Sequence, residues 1–206
     1  MSTLLSLHDH DIGQYSKNYF RYLGKILDGI DVAEIEAVAK AMIEAREQRR
    51  MIYIVGNGGS TSTASHMAND LAIGSRLAER PFRTMSLCDN NSILTAVGND
   101  FGYDEIFTRQ LAYQAQPGDL LVAISASGNS PNLVHAFEWA REHGLVTIAL
   151  TSFVDGGKLR EMADLGIHVP TDPAEYGPAE DAHLILNHVF VSYMTTHLNA
   201  KARADV

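Results

Sequence analysis

Residues 51–60 read MIYIVGNGGS, an apolar run that passes directly into a glycine-rich turn. Continuous apolarity over the first five residues is typical of a strand buried on both faces of a parallel sheet. The glycines permit a tight turn and let the backbone approach a ligand closely. The stretch therefore predicts a strand–turn–helix unit with a candidate phosphate-binding turn at its centre.

The same pattern recurs along the rest of the chain. Further strands are predicted at 84–87, 120–125, 146–150 and 165–169, with crossover helices around 60–74, 91–114, 130–143 and 157–163. This alternation indicates an α/β fold, a doubly wound five-stranded parallel sheet. Two helices are predicted before the first strand, one over 8–29 and one that begins after an N-cap at Asp31. A long helix is predicted after the last strand, at 179–199. We expect one domain over 1–206, with N-terminal helices in 1–48 and the α/β core in 50–206.

The overall composition argues against a nucleic-acid-binding, a secreted or a membrane-spanning protein. The net charge of the 206 residues is -9, which gives the average surface no attraction for nucleic acid. Cys88 is the only cysteine, so no intrachain disulfide can form and a reducing compartment is favoured. No stretch approaches the ~20 apolar residues of a membrane span, and the N-terminus does not resemble a secretory leader. These features predict a cytoplasmic protein without a nucleic-acid or membrane partner.

Two turns at strand ends carry residue types that bind phosphate. One is GNGGS at 56–60 and the other is SASGNS at 125–130, and each leads into a predicted helix. Helix N-termini offer free N–H groups, and ligands of open α/β sheets bind at the carboxyl ends of strands. Each turn could instead only cap its helix, with Ser60 and Ser130 as the capping residues. The candidate binding residues are Asn57, Gly58, Gly59, Ser60, Ser125, Ser127, Asn129 and Ser130.

The two turns also limit the kind of ligand. Neither contains Lys or Arg, and the spacing matches neither GxGxxG nor a Walker loop. The donors would be backbone amides and hydroxyls, which suit a polyol phosphate better than a triphosphate with its metal.

Together these motifs resemble the signature of SIS (sugar isomerase) domains, and the likeness covers nearly the whole chain. The segment VGNDFGYDEIF at 97–107 is similar to one in the bacterial phosphoheptose isomerases. His66 and Asp70 stand where that family has H-x-x-x-E. Glu180, His183 and His188 stand where it has Q-x-x-H-x-x-x-x-H.

The resemblance implies an activity and an assembly. It implies a homotetramer with active sites at subunit interfaces, and conversion of sedoheptulose 7-phosphate to an aldoheptose 7-phosphate for surface polysaccharide. Such an isomerisation needs a base beside the carbonyl and an acid for the enediol oxygen. By resemblance Asp70 supplies the carboxylate and His188 the imidazole. Asp100 either contacts substrate hydroxyls, as the resemblance implies, or only caps a turn.

The resemblance further implies a divalent metal, usually zinc. His66 and Asp70 share a helix face, while Glu180 and His188 lie about 80° apart around theirs. The four together could form a zinc site of two nitrogens and two carboxylates. Alternatively, His66 and Asp70 form a surface pair and His188 is a hydrogen-bonded core histidine. His183 is either a supporting or substrate-side group or a structural one.

Two residues depart from the family pattern. Asp70 replaces Glu, which shortens the reach of the carboxylate by one C–C bond, ~1.5 Å. Glu180 replaces Gln and adds a negative charge, so Glu180 is itself a candidate catalytic base. Both changes bear on substrate identity.

Two alternatives to the heptose isomerase stay open. One is a non-catalytic SIS protein that binds a sugar phosphate or a protein partner, like the replication-initiator-associating homologues. Those lack the carboxylate and the histidine found here at positions 70 and 188. The other is an isomerase of another ketose phosphate, against which the N-terminal helices and VGNDFG argue.

Overall fold

Five parallel strands form the central sheet of a computed structural model that describes residues 3–75 and 80–204. The strands are β1 (Met51–Gly56), β2 (Arg83–Ser86), β3 (Leu120–Ser125), β4 (Val146–Thr151) and β5 (Leu165–His168). Their order is β2-β1-β3-β4-β5. The predicted strands and fold class are confirmed. The fully buried β3 explains why its sequence is apolar without alternation.

Helices connect and flank the strands. They are α1 (Thr3–Ser6), α2 (Ile12–Asp28), α3 (Val32–Glu47), α4 (Gly59–Asn69), α5 (Asn91–Asp100), α6 (Thr108–Gln114), α7 (Pro131–Glu142), α8 (Gly157–Met162) and α9 (Tyr176–Ala204). The Asp31 side chain accepts from the Ala33 N–H, so the predicted N-cap of α3 is confirmed. The stretch 91–114 forms two α-helices with a short 3₁₀ helix, Tyr103–Glu105, between them; Gly102, with a φ of 95°, precedes the 3₁₀ helix.

The two glycine- and serine-rich turns lie side by side, because each follows one of two neighbouring parallel strands, β1 and β3. The sheet order reverses at β1, since β1 is followed by β2 on one side and β3 lies on the other. Gly56 pairs in register with Ile124, so β1 and β3 end at the same level. Both turns therefore open at the switch point of the sheet, where ligands of doubly wound folds bind.

The helix that leaves the first turn also reaches the long C-terminal helix. α4 packs against β1, β2 and α9, and α3 packs against β5 and β1. After Asn69 the helix widens to a π-helical segment, Asp70–Gly74. Such segments occur often at functional sites, and here the change begins at a predicted site residue.

No helix in the described part of the chain combines the length and apolarity that crossing a membrane requires.

Candidate active site

A cavity of about 240 Å³ lies between the two predicted phosphate-binding turns. We call it the serine cavity. Its lining includes most of the binding residues predicted from the sequence, together with two residues from the start of α9: Asn57, Gly58, Gly59, Ser60, Ser125, Ser127, Ser130, Tyr176 and Glu180. Among the described residues its lining contains no Lys or Arg, as in the two turns themselves.

Two serine hydroxyls of the second turn accept hydrogen bonds from backbone N–H groups of the same turn. Ser125 Oγ accepts from the Gly128 N–H at 3.1 Å, and Ser127 Oγ accepts from the Asn129 N–H at 3.3 Å. Each hydroxyl keeps its own hydrogen, so each can still donate to an anion. Gly128 has a φ of 63°, and a Cβ there would overlap the Gly156 carbonyl oxygen. Only glycine fits where these two loops touch.

Asn57 in the first turn is fixed by an amide pair that the sequence did not reveal. Its Nδ2 donates to Asn132 Oδ1 at 2.9 Å, and Asn132 Nδ2 donates back to Asn57 Oδ1 at 2.9 Å. The Tyr103 hydroxyl donates to the same Asn57 oxygen at 3.0 Å. Asn132 is buried in the first turn of α7, so this pair ties the two phosphate turns together.

Some predicted binding and capping residues serve other purposes in the structure. Asn129 lies outside the cavity lining and is exposed; its Oδ1 accepts from the Lys158 N–H at 3.1 Å, which links the turn to α8. Asp100 is exposed at the end of α5 and also lies outside this lining. Ser60 does not cap α4, because the helix begins one residue earlier and Gly58 occupies the N-cap. Ser130 occupies the N-cap of α7 but makes no side-chain capping bond.

Glu180 reaches the serine cavity from α9. Its carboxylate lies directly over Gly59, the first residue of α4, where any side chain would overlap it. A carboxylate at a helix N-terminus is stabilised by the free N–H groups and the helix dipole. The glycine in the first turn thus makes room for an acidic side chain as well as for a ligand.

A second cluster lies further along α4 and α9 and contains His66, Asp70 and His188. Asp70 Oδ2 is 3.2 Å from His66 Nε2 and 3.9 Å from His188 Nε2. The two imidazole rings meet edge to face, with centroids 5.1 Å apart. The structure therefore brings together three of the four residues predicted to bind metal.

Two amides orient the Asp70 carboxylate. Asn187 Nδ2 donates to Oδ2 at 3.0 Å, and Asn69 Nδ2 donates to Oδ1 at 3.2 Å. Asn187 is fully buried, and its Oδ1 is without a partner among the described residues. Sequence reasoning passed over Asn187, although its position immediately before His188 placed it near the predicted site.

The three-residue cluster suits zinc. One ligand atom from each residue lies within 4.8 Å of the others, and two nitrogens with one carboxylate oxygen are common zinc ligands. Zinc ligands at about 2.0–2.1 Å in a tetrahedron are separated by roughly 3.3 Å. The 3.2 and 3.9 Å separations are close to that value.

Glu180 is not part of this cluster, unlike the four-residue zinc site predicted from the sequence. Glu180 and His188 are eight residues apart, which is about 12 Å along a helix. Gly59 and His66 are separated by about 10.5 Å on α4 in the same way. The Glu180 carboxylate lies beside Gly59, and the His188 ring lies beside Asp70. α4 and α9 therefore come together around two separate groups of residues, about 10 to 12 Å apart along the helices.

His183 is buried in the core rather than directed at either site. Its Nε2 is 3.2 Å from Ser152 Oγ at the end of β4. Burial lowers the pKa of His183 to about 4, so the ring is neutral near pH 7. This favours the structural alternative for His183.

Comparison with known proteins supports the observed fold. The family model described as SIS domain matches residues 15–152. The phosphoheptose isomerase of Rhodospirillum rubrum is 43% identical over 77% of this chain and 81% of its own length. That of Sulfurimonas denitrificans is 37% identical over 77% and 80%. The structure of phosphoheptose isomerase GmhA from Neisseria gonorrhoeae superposes with a TM-score of 0.80 at 28% identity, covering 90% of this chain and 100% of that one.

Proposed function

The chain belongs to the phosphoheptose isomerases of the SIS-domain family, and we propose that it converts sedoheptulose 7-phosphate to D-glycero-D-manno-heptose 7-phosphate for surface polysaccharide. The reaction moves a carbonyl from C2 to C1 through an enediol, so it requires proton transfer at both carbons. The proposal needs one site for a phosphate and another, at the correct distance, for proton transfer.

The observation that carries this proposal is the alignment of the two sites along α4. Gly59 and His66 are seven residues apart, so they share one helix face and are separated by about 10.5 Å. An extended heptulose phosphate has six C–C bonds of about 1.5 Å and a C–O–P link, roughly 10 Å along the zigzag. A seven-carbon substrate with its phosphate in the serine cavity would therefore place its carbonyl end near the His66–Asp70–His188 cluster.

In this proposal the serine cavity binds the phosphate. The hydroxyls of Ser125, Ser127 and Ser130 are the main donors, helped by the positive end of the α4 dipole. The Ser60 and Thr61 N–H groups already donate to the Asn57 and Gly58 carbonyls. The Asn57–Asn132 pair keeps the two turns at a fixed separation. Because the described lining contributes no Lys or Arg, phosphate affinity in this proposal depends on the number and placement of these hydrogen bonds.

Asp70 and His188 are the proposed proton-transfer groups. The Asp70 carboxylate is held by Asn187 and Asn69, so it is oriented before substrate binds. Its position as the first residue of the π-helical segment places it beside α9. His188 is about half exposed, which leaves its imidazole accessible to a substrate oxygen.

Zinc is the proposed metal, with His66, Asp70 and His188 as its ligands. An imidazole nitrogen bound to zinc cannot exchange a proton, so the proton-transfer role of His188 applies to the metal-free site. When bound there, zinc would polarise the substrate carbonyl and stabilise negative charge on the enediol oxygens. Glu180 has a separate proposed role at the phosphate end of the substrate, where its carboxylate lies beside the phosphate and away from the metal.

A homotetramer is the proposed assembly. An apolar groove of about 610 Å³ lies between α3 and α9 and includes Ile35, Ile43, Val189, Phe190 and Tyr193. Val189 is 43% exposed and Tyr193 47% exposed, although both are apolar or aromatic. Such a surface supports contact with another copy of the chain. Val189 follows the exposed His188 in α9, so that contact would lie next to the proton-transfer site.

A turnover screen over ketose phosphates of five, six and seven carbons tests the proposed function. We expect the highest kcat/KM for sedoheptulose 7-phosphate, because shorter chains cannot span both sites. Comparable kcat/KM values for five- and seven-carbon substrates would contradict the length argument. Binding without turnover of any of them would favour the non-catalytic sugar-phosphate binder instead.

A further inference from the structure

A second polar cavity, of about 310 Å³, lies at the end of the sheet where the strands begin. Its lining includes Arg49, Arg50 and Arg83, and we call it the arginine pocket. β1 separates it from the serine cavity, since Met51 lines the former and the first turn follows Gly56. Five residues of strand span roughly 17 Å. The two cavities are therefore distinct sites.

The guanidinium groups of this pocket are not neutralised. Within residues 3–75 and 80–198, none of the three forms an ion pair with a carboxylate. Their neighbours behave differently, because Arg46 and Arg80 both pair with Glu47. In a chain with a net charge of -9, three adjacent cations without acidic partners are unexpected.

Backbone carbonyl groups hold two of these side chains in place. Arg50 Nη1 donates to the Pro117 carbonyl at 2.9 Å, and Arg83 Nη1 donates to the Arg49 carbonyl at 2.8 Å. Arg50 Nε is buried and has no partner among the described residues. Neutral carbonyl acceptors thus position two of the arginines. The positive charges and several N–H groups remain available to bind an anion.

Among the described residues, Asp119 is the one carboxylate in the lining, and both of its oxygens already accept hydrogen bonds. Asp119 accepts from the Met51 N–H through Oδ1 and from the Gln116 N–H through Oδ2, both at 2.9 Å. The Tyr53 hydroxyl donates to the Gln114 carbonyl at 3.1 Å, and burial raises the pKa of Tyr53 to about 12, so it stays protonated. The described lining therefore carries three guanidinium groups against one carboxylate, which leaves a net positive charge.

We propose that the arginine pocket binds the phosphate or diphosphate group of a small metabolite, at a site separate from the substrate. Guanidinium groups bind phosphate oxygens in paired hydrogen bonds, and three of them match a multiply charged anion. The volume suits a small ligand. The site does not depend on the isomerase activity proposed above.

Isothermal titration of the full chain with inorganic diphosphate tests this proposal. The test variant is the double substitution Arg49→Gln and Arg83→Gln, which keeps side-chain length but removes both charges. The matched control is Arg141→Gln, which removes one charge from the exposed end of α7. Arg50 is left intact because its bond to Pro117 supports the fold.

We expect the wild type and Arg141→Gln to show a binding event that the double variant loses or weakens by at least about tenfold. Diphosphate that binds in the serine cavity would inhibit turnover, and this inhibition should persist in the double variant. An inactive enzyme that keeps the arginine-dependent event would overturn the proposed function but not this proposal. Equal diphosphate affinity in the wild type and a folded double variant would overturn the arginine pocket.

Discussion

Asn187 donates its side-chain amide to Asp70 Oδ2 across 3.0 Å, from a position in α9 that is fully buried. The bond links the helix that carries His188 to the helix that carries His66. It also fixes which carboxylate oxygen faces the imidazoles, since Oδ2 is the atom nearest both rings. The geometry of the cluster thus depends on a residue that need not touch substrate.

Asn187→Leu should weaken zinc affinity and lower kcat by about 10- to 100-fold, because an unsupported carboxylate rotates away from the imidazoles. The fold should survive, since leucine has a similar size and removes an oxygen that has no partner within the described residues. Zinc titration and the pH profile of kcat are the measurements. Unchanged zinc affinity and an unchanged profile would show that Asn187 only fills space.

His188→Ala should abolish turnover while leaving the unfolding midpoint nearly unchanged. The side chain is about half exposed, so its removal costs little packing. His197→Ala is the matched control, because His197 is an exposed histidine on the same helix that stacks on Tyr193 away from Asp70. Substantial activity in His188→Ala would refute its role in proton transfer.

Glu180→Gln tests whether this carboxylate acts at the phosphate end of the substrate or as the catalytic base. If Glu180 acts only at the phosphate end, removing its charge should lower KM for the sugar phosphate with little change in kcat, because repulsion between two anions is relieved. We expect this result, since Glu180 lies at Gly59 and not at Asp70. A large fall in kcat with constant KM would instead make Glu180 the base that its sequence position suggested.

Gly128→Ala should destabilise the protein more than Gly144→Ala. Both glycines have positive φ, 63° and 73°, so both substitutions carry about 1–2 kcal/mol of backbone strain. At Gly144 the new Cβ meets only Pro117 Cβ at 3.5 Å, whereas at Gly128 it overlaps the Gly156 carbonyl. Urea unfolding should show the difference, and KM should rise only for Gly128→Ala, because its turn lines the serine cavity.

The sequence predicted the sheet and the serine cavity because their causes are local. Buried parallel strands require apolar runs, and a strand that passes into a helix through glycines leaves its mark in consecutive residues. The pairing of Asn57 with Asn132 could not be predicted, since it joins residues 75 apart through a turn register that only folding sets. The separation of Glu180 from His188 was missed for another reason. The angle of about 80° between Glu180 and His188 around the helix suggested a shared site. The distance of about 12 Å between them along the helix axis places them in different groups of residues.

His183 should make stability depend on pH in a known direction. Burial holds its pKa near 4 in the folded protein, against an ordinary value of 6.5. Between these values the unfolded chain binds a proton that the folded chain does not, so the free energy of unfolding falls as the pH drops from 6.5 towards 4. A shift of this size corresponds to about 3 kcal/mol, lost progressively over that window and fully present above it.

Urea unfolding of the wild type and His183→Gln at pH 4.5, 5.5, 6.5 and 7.5 measures this effect. Glutamine can still pair with Ser152 but does not titrate, so the difference between the two proteins isolates the histidine from the carboxylates. We expect the difference in unfolding free energy to shrink as the pH falls. If His183→Gln does not fold, NMR of the wild type at pH 5 gives the same information, because the His183 ring must still be neutral there. A charged His183 at pH 5 would mean that the ring reaches water, and the structural role assigned to it would be wrong.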